Sequence, residues 1–210
     1  MADPVICVDL SHYQAGFNFQ SFKNGGGLGV ILKASEGPSI KDPSYPIFRP
    51  QALAAGLVVA SYHFLHAGDM EAQAEFFLGV VNPRQSERVV ADHEKPPGEP
   101  APSLDDLIAF LQAIQSVRPD LQLTVYSGNL IKDQLGSTRN DWLAENTSLW
   151  LAQFTAGQPS WPRATWPAWS LWQYTDQGAA PGFGGALDCD RFNGSDENFL
   201  KWVGPPSQSA

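Results

Sequence analysis

Short apolar runs recur along the chain and alternate with segments of helical spacing or segments rich in Gly and Pro. Eight runs rich in β-branched or aromatic residues predict strands at residues 5–10, 29–34, 58–64, 88–92, 122–127, 149–154, 170–174 and 186–189. Strands that alternate with helices pair in parallel through right-handed crossovers, and about eight of them suggest a closed ring. The pattern therefore predicts an α/β fold built as a single TIM-like β/α barrel.

The clearest helical pattern covers residues 104–117, where apolar residues follow helical spacing. Ser103 precedes it as an N-cap, Asp106 completes a variant of the capping box, and Pro119 follows its end. Weaker patterns predict helices near residues 46–55, 69–80, 129–135 and 195–203. Prolines interrupt helical periodicity between residues 142 and 172, so the barrel is expected to have fewer helices in its second half.

The length and composition suit one compact domain, because 210 residues with 43% hydrophobic content can build a core. We expect one domain over residues 1–204 and a flexible tail over residues 205–210. The two cysteines, Cys7 and Cys189, are too few for a disulfide scaffold, and strand alternation places them on different faces. We expect both thiols to be free.

The chain is acidic, with 13 Lys and Arg against 22 Asp and Glu and a net charge of −9. Without a basic cluster, binding to nucleic acid or to an anionic membrane surface is disfavoured. No apolar run has the length of a membrane span, and the N-terminal segment lacks the features of a signal peptide. We therefore expect synthesis in the cytoplasm and no membrane insertion.

The predicted strand at residues 88–92 ends in Asp92-His93-Glu94. Side chains alternate along a strand, so Asp92 and Glu94 share one face with Cα atoms ~7 Å apart. Cleavage of a glycosidic bond commonly uses two carboxyl groups at about 5–9.5 Å, one of them protonated. Apolar surroundings and a neighbouring like charge would keep one acid protonated, and the longer Glu94 is the expected general acid. On this pattern alone, a solvated strand end with two ordinary charges is the alternative.

Other polar residues stand at the predicted strand ends, which is where barrels carry their active sites. Asp9 and Asp188 lie on the first and last strands and become neighbours only if the barrel closes. Mutual repulsion among four acids would raise at least one pKa, as acid/base sites require. Five further residues are predicted to line the same cavity and bind substrate: Lys33, Tyr62, Tyr126, Gln153 and Gln173.

The acids could also form half of a Mg²⁺ or Ca²⁺ site, which is the less favoured interpretation. The four histidines show no HExxH spacing, no G-x-S-x-G motif is present, and Gly25-Gly26-Gly27 is not followed by Lys-Ser/Thr. We expect neither a metal nor a cofactor. All seven tryptophans follow residue 141, and most are expected in the core, although flat aromatic faces also suit sugar rings.

Several ordered motifs resemble those of the family 25 glycoside hydrolases, the N-acetylmuramidase type of lysozyme. The resemblance runs from about residue 5 to residue 192. The motifs are DLSHYQ at 9–14, KASEG at 33–37, YHF at 62–64, DHE at 92–94, YS at 126–127, WQY at 172–174 and DCDRF at 188–192. Asp190 departs from the family pattern, in which Asn is frequent at this position.

The resemblance implies a flattened β/α barrel that forms a catalytic domain over residues 1–204. The implied reaction is hydrolysis of the β-1,4 bond between N-acetylmuramic acid and N-acetylglucosamine in a peptidoglycan glycan strand. Glu94 would be the general acid/base. Asp92 would either attack the anomeric carbon or orient the 2-acetamido group of the substrate to attack it. Asp9 and Asp188 would be flanking acids that position this pair.

A single catalytic module without a signal peptide also resembles a phage endolysin. Such a protein would act on the bacterial cell wall, as a monomer, after release through a separate membrane-permeabilising protein. Two other functions stay open. One is a chitinase-like glycosidase, whose signature has a further Asp where this chain has Val90. The other is a carbohydrate-binding barrel without catalysis, against which the cluster of like charges argues.

Overall fold

The computed structural model describes residues 4–204, so the predicted tail at residues 205–210 lies outside the described residues. The strands are β1 Cys7–Leu10, β2 Gly29–Glu36, β3 Ile40–Lys41, β4 Val58–Phe64, β5 Arg88–Asp92, β6 Gln122–Ser127, β7 Thr147–Ala152, β8 Leu171–Gly178 and β9 Leu187–Phe192. Eight of them close a barrel, because β1 pairs with both β2 and β9, while β3 forms a short antiparallel edge on β2. The predicted barrel of about eight strands is confirmed.

The last strand corrects the prediction that all strands pair in parallel. β9 runs antiparallel to both β1 and β8, whereas the other neighbouring strands of the barrel are parallel. The physical reason is the connection at residues 179–186, which is shorter than the dozen or more residues that a parallel crossover needs. Asp188 consequently enters the mouth of the barrel from the start of its strand rather than from its end.

Helices cover the outside of the barrel unevenly. They are α1 Phe19–Asn24, α2 Tyr45–Ala54, α3 Met70–Val81, α4 Leu104–Val117, α5 Asn129–Leu135, α6 Asp141–Asn146 and α7 Asp196–Val203. The capping box of α4 is present, since Asp106 N donates to Ser103 Oγ at 3.1 Å and Ser103 N donates to Asp106 Oδ2 at 2.7 Å. No helix occupies residues 155–170 or 179–186, so the reduction of helices in the second half is confirmed. The short helices α1 and α6 were not predicted.

Two apolar layers hold the fold together, one inside the barrel and one between the barrel and its helices. The inner layer includes Ile31, Val90 and Leu171, and α7 adds Phe199 to it. Gly29, the first residue of β2, permits this arrangement, because a Cβ there would lie 3.0 Å from the Phe199 ring and 2.7 Å from Val58. Helix α7 therefore fills the end of the barrel where the parallel strands begin and leaves the opposite end open.

The two cysteines lie on opposite sides of the barrel wall. Cys7 belongs to the inner apolar layer and Cys189 to the outer one, and both are buried and free. The prediction of free thiols on different faces is confirmed.

Candidate active site

A cavity of about 810 Å³ opens at the carboxyl ends of the parallel strands. All the residues that the sequence singled out line it: Asp9, Lys33, Tyr62, Asp92, Glu94, Tyr126, Gln153, Gln173 and Asp188. They come from all eight strands of the barrel or from the residues that directly follow them. Closure of the barrel is what gathers these distant positions of the chain into one site.

Asp92 and Glu94 share the cavity because the backbone stays extended past the end of β5. His93 N donates to the carbonyl oxygen of Tyr126 at 2.8 Å, which continues the pairing with β6. The alternation places His93 on the outer side, where its Nε2 hydrogen-bonds with Gln134 Oε1 at 2.7 Å. Both acids are thereby presented to the cavity, with the spacing of ~7 Å between Cα atoms that this geometry dictates.

Asp9 and Asp188 are direct partners across the β1–β9 pair, as expected from closure of the barrel. Gln173 fixes Asp9, since its Nε2 donates to Asp9 Oδ2 at 2.7 Å. Tyr126 in turn donates its hydroxyl hydrogen to Gln173 Oε1 at 2.9 Å. Tyr126 and Gln173 therefore hold a carboxylate of the site in place, and a direct role in binding substrate stays a prediction for both.

Burial and neighbouring carboxylates raise the pKa of all four acids. Burial is the largest cause in each case. The charge of Asp188 further raises the pKa of Asp9 and of Glu94, and the charge of Glu94 raises that of Asp92. Burial and Asp176 raise the pKa of Asp188 to about 6. The site therefore keeps its protons to a higher pH than isolated carboxyl groups do.

Lys33 is the positive charge that opposes this trend, because it lowers the pKa of Asp92. Its Nζ lies 2.6 Å from Glu36 Oε2. Glu36 Oε1 also contacts His66 Nε2 at 3.0 Å, and His66 Nδ1 contacts Glu99 Oε2 at 2.9 Å. This chain of contacts ties the segment that follows Glu94 to the end of β2.

A fifth acid lies deeper in the barrel and was not predicted as part of the site. Asp190 is 2% exposed, and its Oδ1 accepts a hydrogen bond from Trp150 Nε1 at 2.7 Å. Its Oδ2 is buried without a hydrogen-bond partner among the described residues. Burial raises the pKa of Asp190, and Asp9 raises it further. The spacing of two from Asp188 was the signal that places both acids on the inner face of β9.

Exposed aromatic rings at the rim were also missed by the sequence reasoning. Tyr13 is 78% exposed and Phe154 is 54% exposed, and both line the cavity. Trp150 lines it too, but this side chain is buried at the base. Tyr13 lies in a single turn of 3₁₀ helix at residues 12–14, where strand alternation does not apply, and Phe154 lies beyond the end of β7, which stops at Ala152 and so before the end of the strand predicted at residues 149–154.

Among residues 4–204, no three or more His, Cys, Asp or Glu side chains are arranged to hold a metal ion. Within the same residues, no helix combines the length and apolar character needed to cross a bilayer. Val90, where a chitinase-like site would have its additional Asp, is buried in the inner apolar layer.

Comparisons with known proteins agree with this geometry. The family model described as "Glycosyl hydrolases family 25" matches residues 8–183. Lysozyme M1 of Streptomyces globisporus is 27% identical over 207 residues, covering 92% of this chain and 69% of that protein. The autolytic lysozyme of Clostridium acetobutylicum is 28% identical over 190 residues. That match covers 89% of this chain but only 55% of the clostridial protein.

Solved structures show the same architecture. The bacterial lysozyme from Streptomyces coelicolor superposes with a TM-score of 0.85 at 25% identity, over 97% of this chain and 98% of that one. A family GH25 lysozyme from Aspergillus fumigatus gives a TM-score of 0.76 over 94% of this chain and 98% of that one, at 23% identity. Profile, relatives and fold agree with the family that the sequence motifs indicated, and the chain belongs to glycosyl hydrolase family 25.

Proposed function

We propose that this protein is a lysozyme that hydrolyses the β-1,4 bond between N-acetylmuramic acid and N-acetylglucosamine in peptidoglycan. The observation that carries the proposal is the pair Asp92 and Glu94. Both side chains face an open cavity, and burial together with neighbouring carboxylates raises the pKa of each. The names of its relatives support the substrate, since they include lysozymes and an N,O-diacetylmuramidase of Arthroderma benhamiae that is 28% identical over 93% of this chain.

Glu94 fits the role of general acid/base. Its side chain is half-buried at the edge of the cavity, and burial together with Asp188 raises its pKa. A carboxyl group that keeps its proton near neutral pH can deliver that proton to the bridging oxygen of the sugars. Once ionised, the same group can take a proton from the water that completes the reaction.

Asp92 fits the role of the partner that stabilises the reacting sugar. Its Oδ1 is buried, without a hydrogen-bond partner among the described residues, in a side chain that lines the cavity. That oxygen could attack the anomeric carbon, or it could accept a hydrogen bond from the acetamido N–H of the substrate while the acetamido oxygen attacks. Strands with N-deacetylated muramic acid separate the two routes, because only the second requires the acetyl group.

The remaining residues are assigned supporting roles. The charge of Asp188 favours the protonated form of Glu94, and Asp9 lies beside Asp188 across the β1–β9 pair. Gln173 and Tyr126 hold Asp9 in place. Tyr62, Lys33 and Gln153 line the cavity and are proposed to contact the sugars directly. No step of this scheme calls for a cofactor.

The proposal is tested by the release of new reducing ends from purified peptidoglycan. Glu94→Gln is nearly isosteric but has no acidic proton, so the rate should fall by about 10²–10⁴-fold while the folded state persists. Glu145→Gln is the matched control, because Glu145 is exposed outside the cavity, and its rate should equal that of the wild type. Undiminished release by Glu94→Gln would contradict the assignment.

The biological setting is a separate proposal. We propose that the enzyme acts on the bacterial cell wall as a monomer and serves as a phage endolysin that another protein releases from the cytoplasm. Its net charge of −9 favours neither nucleic acid nor an anionic membrane as partner. Lysis should then require permeabilised cells, and efficient lysis of intact cells from outside would count against this setting.

A further inference from the structure

One wall of the cavity, between β6 and β7, contains a lysine that the scheme above does not use. Lys132 lies on α5 and lines the cavity together with Asn129, Gln153 and Ser160. Its Nζ donates to Gln153 Oε1 at 2.6 Å. The same oxygen accepts from Ser160 N at 3.1 Å and from Ser160 Oγ at 3.3 Å. These contacts fix the lysine against the cavity wall instead of leaving it extended into water.

The charge of Lys132 is uncompensated. Among residues 4–204, no carboxylate lies within the 4.0 Å of an ion pair with its Nζ, whereas Lys33, the other lysine of the cavity, pairs with Glu36 at 2.6 Å. Burial lowers the pKa of Lys132, and Asp133 offsets only part of that effect. The bond to Gln153 uses one N–H of the ammonium group, so two more donors are available to a ligand.

We propose that Lys132 is a subsite for a carboxylate of the substrate, an inference that rests on the proposed function. A muramic acid residue carries a carboxyl on its lactyl ether, which is either free or extended by a peptide with carboxylates of its own. N-acetylglucosamine has no such group. An ammonium group binds a carboxylate through charge-assisted hydrogen bonds, and here it also offsets the repulsion between an acidic protein and an acidic polymer.

Four forms of one substrate, two charged and two amidated, separate the possible sources of the carboxylate. Intact glycan strands keep their peptides, and strands treated with an amidase expose the lactyl carboxylate instead. Conversion of the carboxyl groups of each preparation to amides removes the charge and leaves the sugar backbone unchanged. Comparison of the charged forms identifies whether the lactyl group or the peptide is bound.

The decisive variant is Lys132→Met, which removes the charge and keeps most of the side-chain volume. On whichever charged preparation carries the carboxylate that Lys132 binds, KM should rise about five- to tenfold with little change in kcat. The size follows because the lost contact is a partly exposed ion pair. On amidated strands the variant should match the wild type. Lys132→Arg should restore most of the affinity. Lys201→Met is the control, since Lys201 is exposed on α7 at the closed end of the barrel.

The salt dependence adds an independent check. Added salt should reduce the difference in KM between Lys132→Met and the wild type on charged strands, because salt screens a partly exposed ion pair, while the repulsion between the acidic protein and the acidic polymer is common to both proteins. An equal effect of Lys132→Met on charged and amidated strands would overturn the subsite and leave Lys132 with a structural role. Failure of the wild type to cleave any strand would instead overturn the proposed function itself.

Discussion

At the scale of the residue, the site places acids where they destabilise one another. Asp9 and Asp188 pair across two strands, and the charge of Asp188 raises the pKa of both Asp9 and Glu94. Each carboxyl favours its protonated form, because burial and like charge both oppose ionisation. Ionisation of these buried acids opposes folding, so a site that favours a protonated carboxyl reduces the stability of the folded protein at neutral pH.

Neutralising Asp188 should stabilise the protein. Its pKa of about 6 means that ionisation at pH 7 opposes folding, and its charge also acts on Asp9 and Glu94. After discount for partial exposure, Asp188→Asn should gain about 1 kcal/mol in the free energy of unfolding at pH 7, or about 2–4 °C in Tm. Asp133→Asn, at an exposed position of α5, is the calorimetric control. A lower Tm for Asp188→Asn would refute this electrostatic account.

Strand ends and side-chain alternation were sufficient to predict nine residues that line the cavity, the four acids among them. They placed Asp92 and Glu94 on one face, and closure of the barrel brought Asp9 beside Asp188. They could not predict that Lys132 lines the cavity, because its place there depends on a helix position and a rotamer. Tyr13 and Phe154 were missed for a similar reason, since Tyr13 lies in a single turn of 3₁₀ helix and Phe154 lies beyond the end of β7.

At the scale of the element, β9 and α7 complete the barrel in a way that the sequence pattern did not predict. Apolar runs indicate that a strand exists but not its direction. The antiparallel direction of β9 was therefore not predicted, and the short connection before it explains that direction. Helix α7 was predicted from its spacing. Its function as the plug of the barrel was not, because the pattern does not specify which surface its apolar face contacts.

The plug can be tested with two neighbouring residues of α7. Phe199 is 0% exposed and packs against Phe192 with ring centroids 5.5 Å apart. Phe199→Ala should lower the free energy of unfolding by about 3–5 kcal/mol, because it leaves a cavity inside the barrel. Leu200 is 36% exposed, so Leu200→Ala should change it by less than about 1 kcal/mol in denaturant titration. Equal effects would mean that α7 does not close the barrel as described.

At the scale of the whole molecule, two groups of acids respond to pH in opposite directions. The acids of the site have raised pKa values in the folded state. Burial would also raise the pKa of Glu87, but Arg49, bound at 2.6 and 2.8 Å, and Arg84 outweigh burial and lower it. The first group favours folding at acidic pH, and the second favours it above the ordinary carboxyl pKa.

The contribution of Asp188 to stability should depend on pH in a defined way. As pH falls from 7 toward about 4, the folded state binds a proton at Asp188 more readily than the unfolded chain does, which favours folding. The buried imidazole of His63 acts in the opposite direction over the same range, because burial lowers its pKa to about 4. Below about 4, protonation of Glu87 breaks its ion pair with Arg49, and stability falls. Calorimetry from pH 3 to 8 isolates the effect of Asp188, since the gain in Tm from Asp188→Asn should be largest near pH 7 and disappear below about pH 4. A gain in Tm that does not change with pH would contradict this assignment.

The overall architecture was the most predictable level of all. Eight apolar runs and their spacing were enough for a closed barrel, and the ordered motifs were enough for the family, which residues 8–183 match. Both depend on the hydrophobic pattern and on residue identity, which the sequence contains directly. The direction of β9 depends on the length of the connection before it, which is short because β8 runs to Gly178, beyond the strand predicted at residues 170–174. The positions of side chains in loops depend on three-dimensional packing, so both required the structure.

The position of the cleaved bond is the most direct test of the central claim, that Glu94 and Asp92 hydrolyse peptidoglycan on the reducing side of muramic acid. Purified peptidoglycan is digested with the wild type, the new ends are reduced with borohydride, and the fragments are identified by mass spectrometry. The account predicts reduced muramic acid at every new end, and release of new ends that is slower by about 10²–10⁴-fold with Glu94→Gln. Reduced glucosamine at the new ends would contradict it.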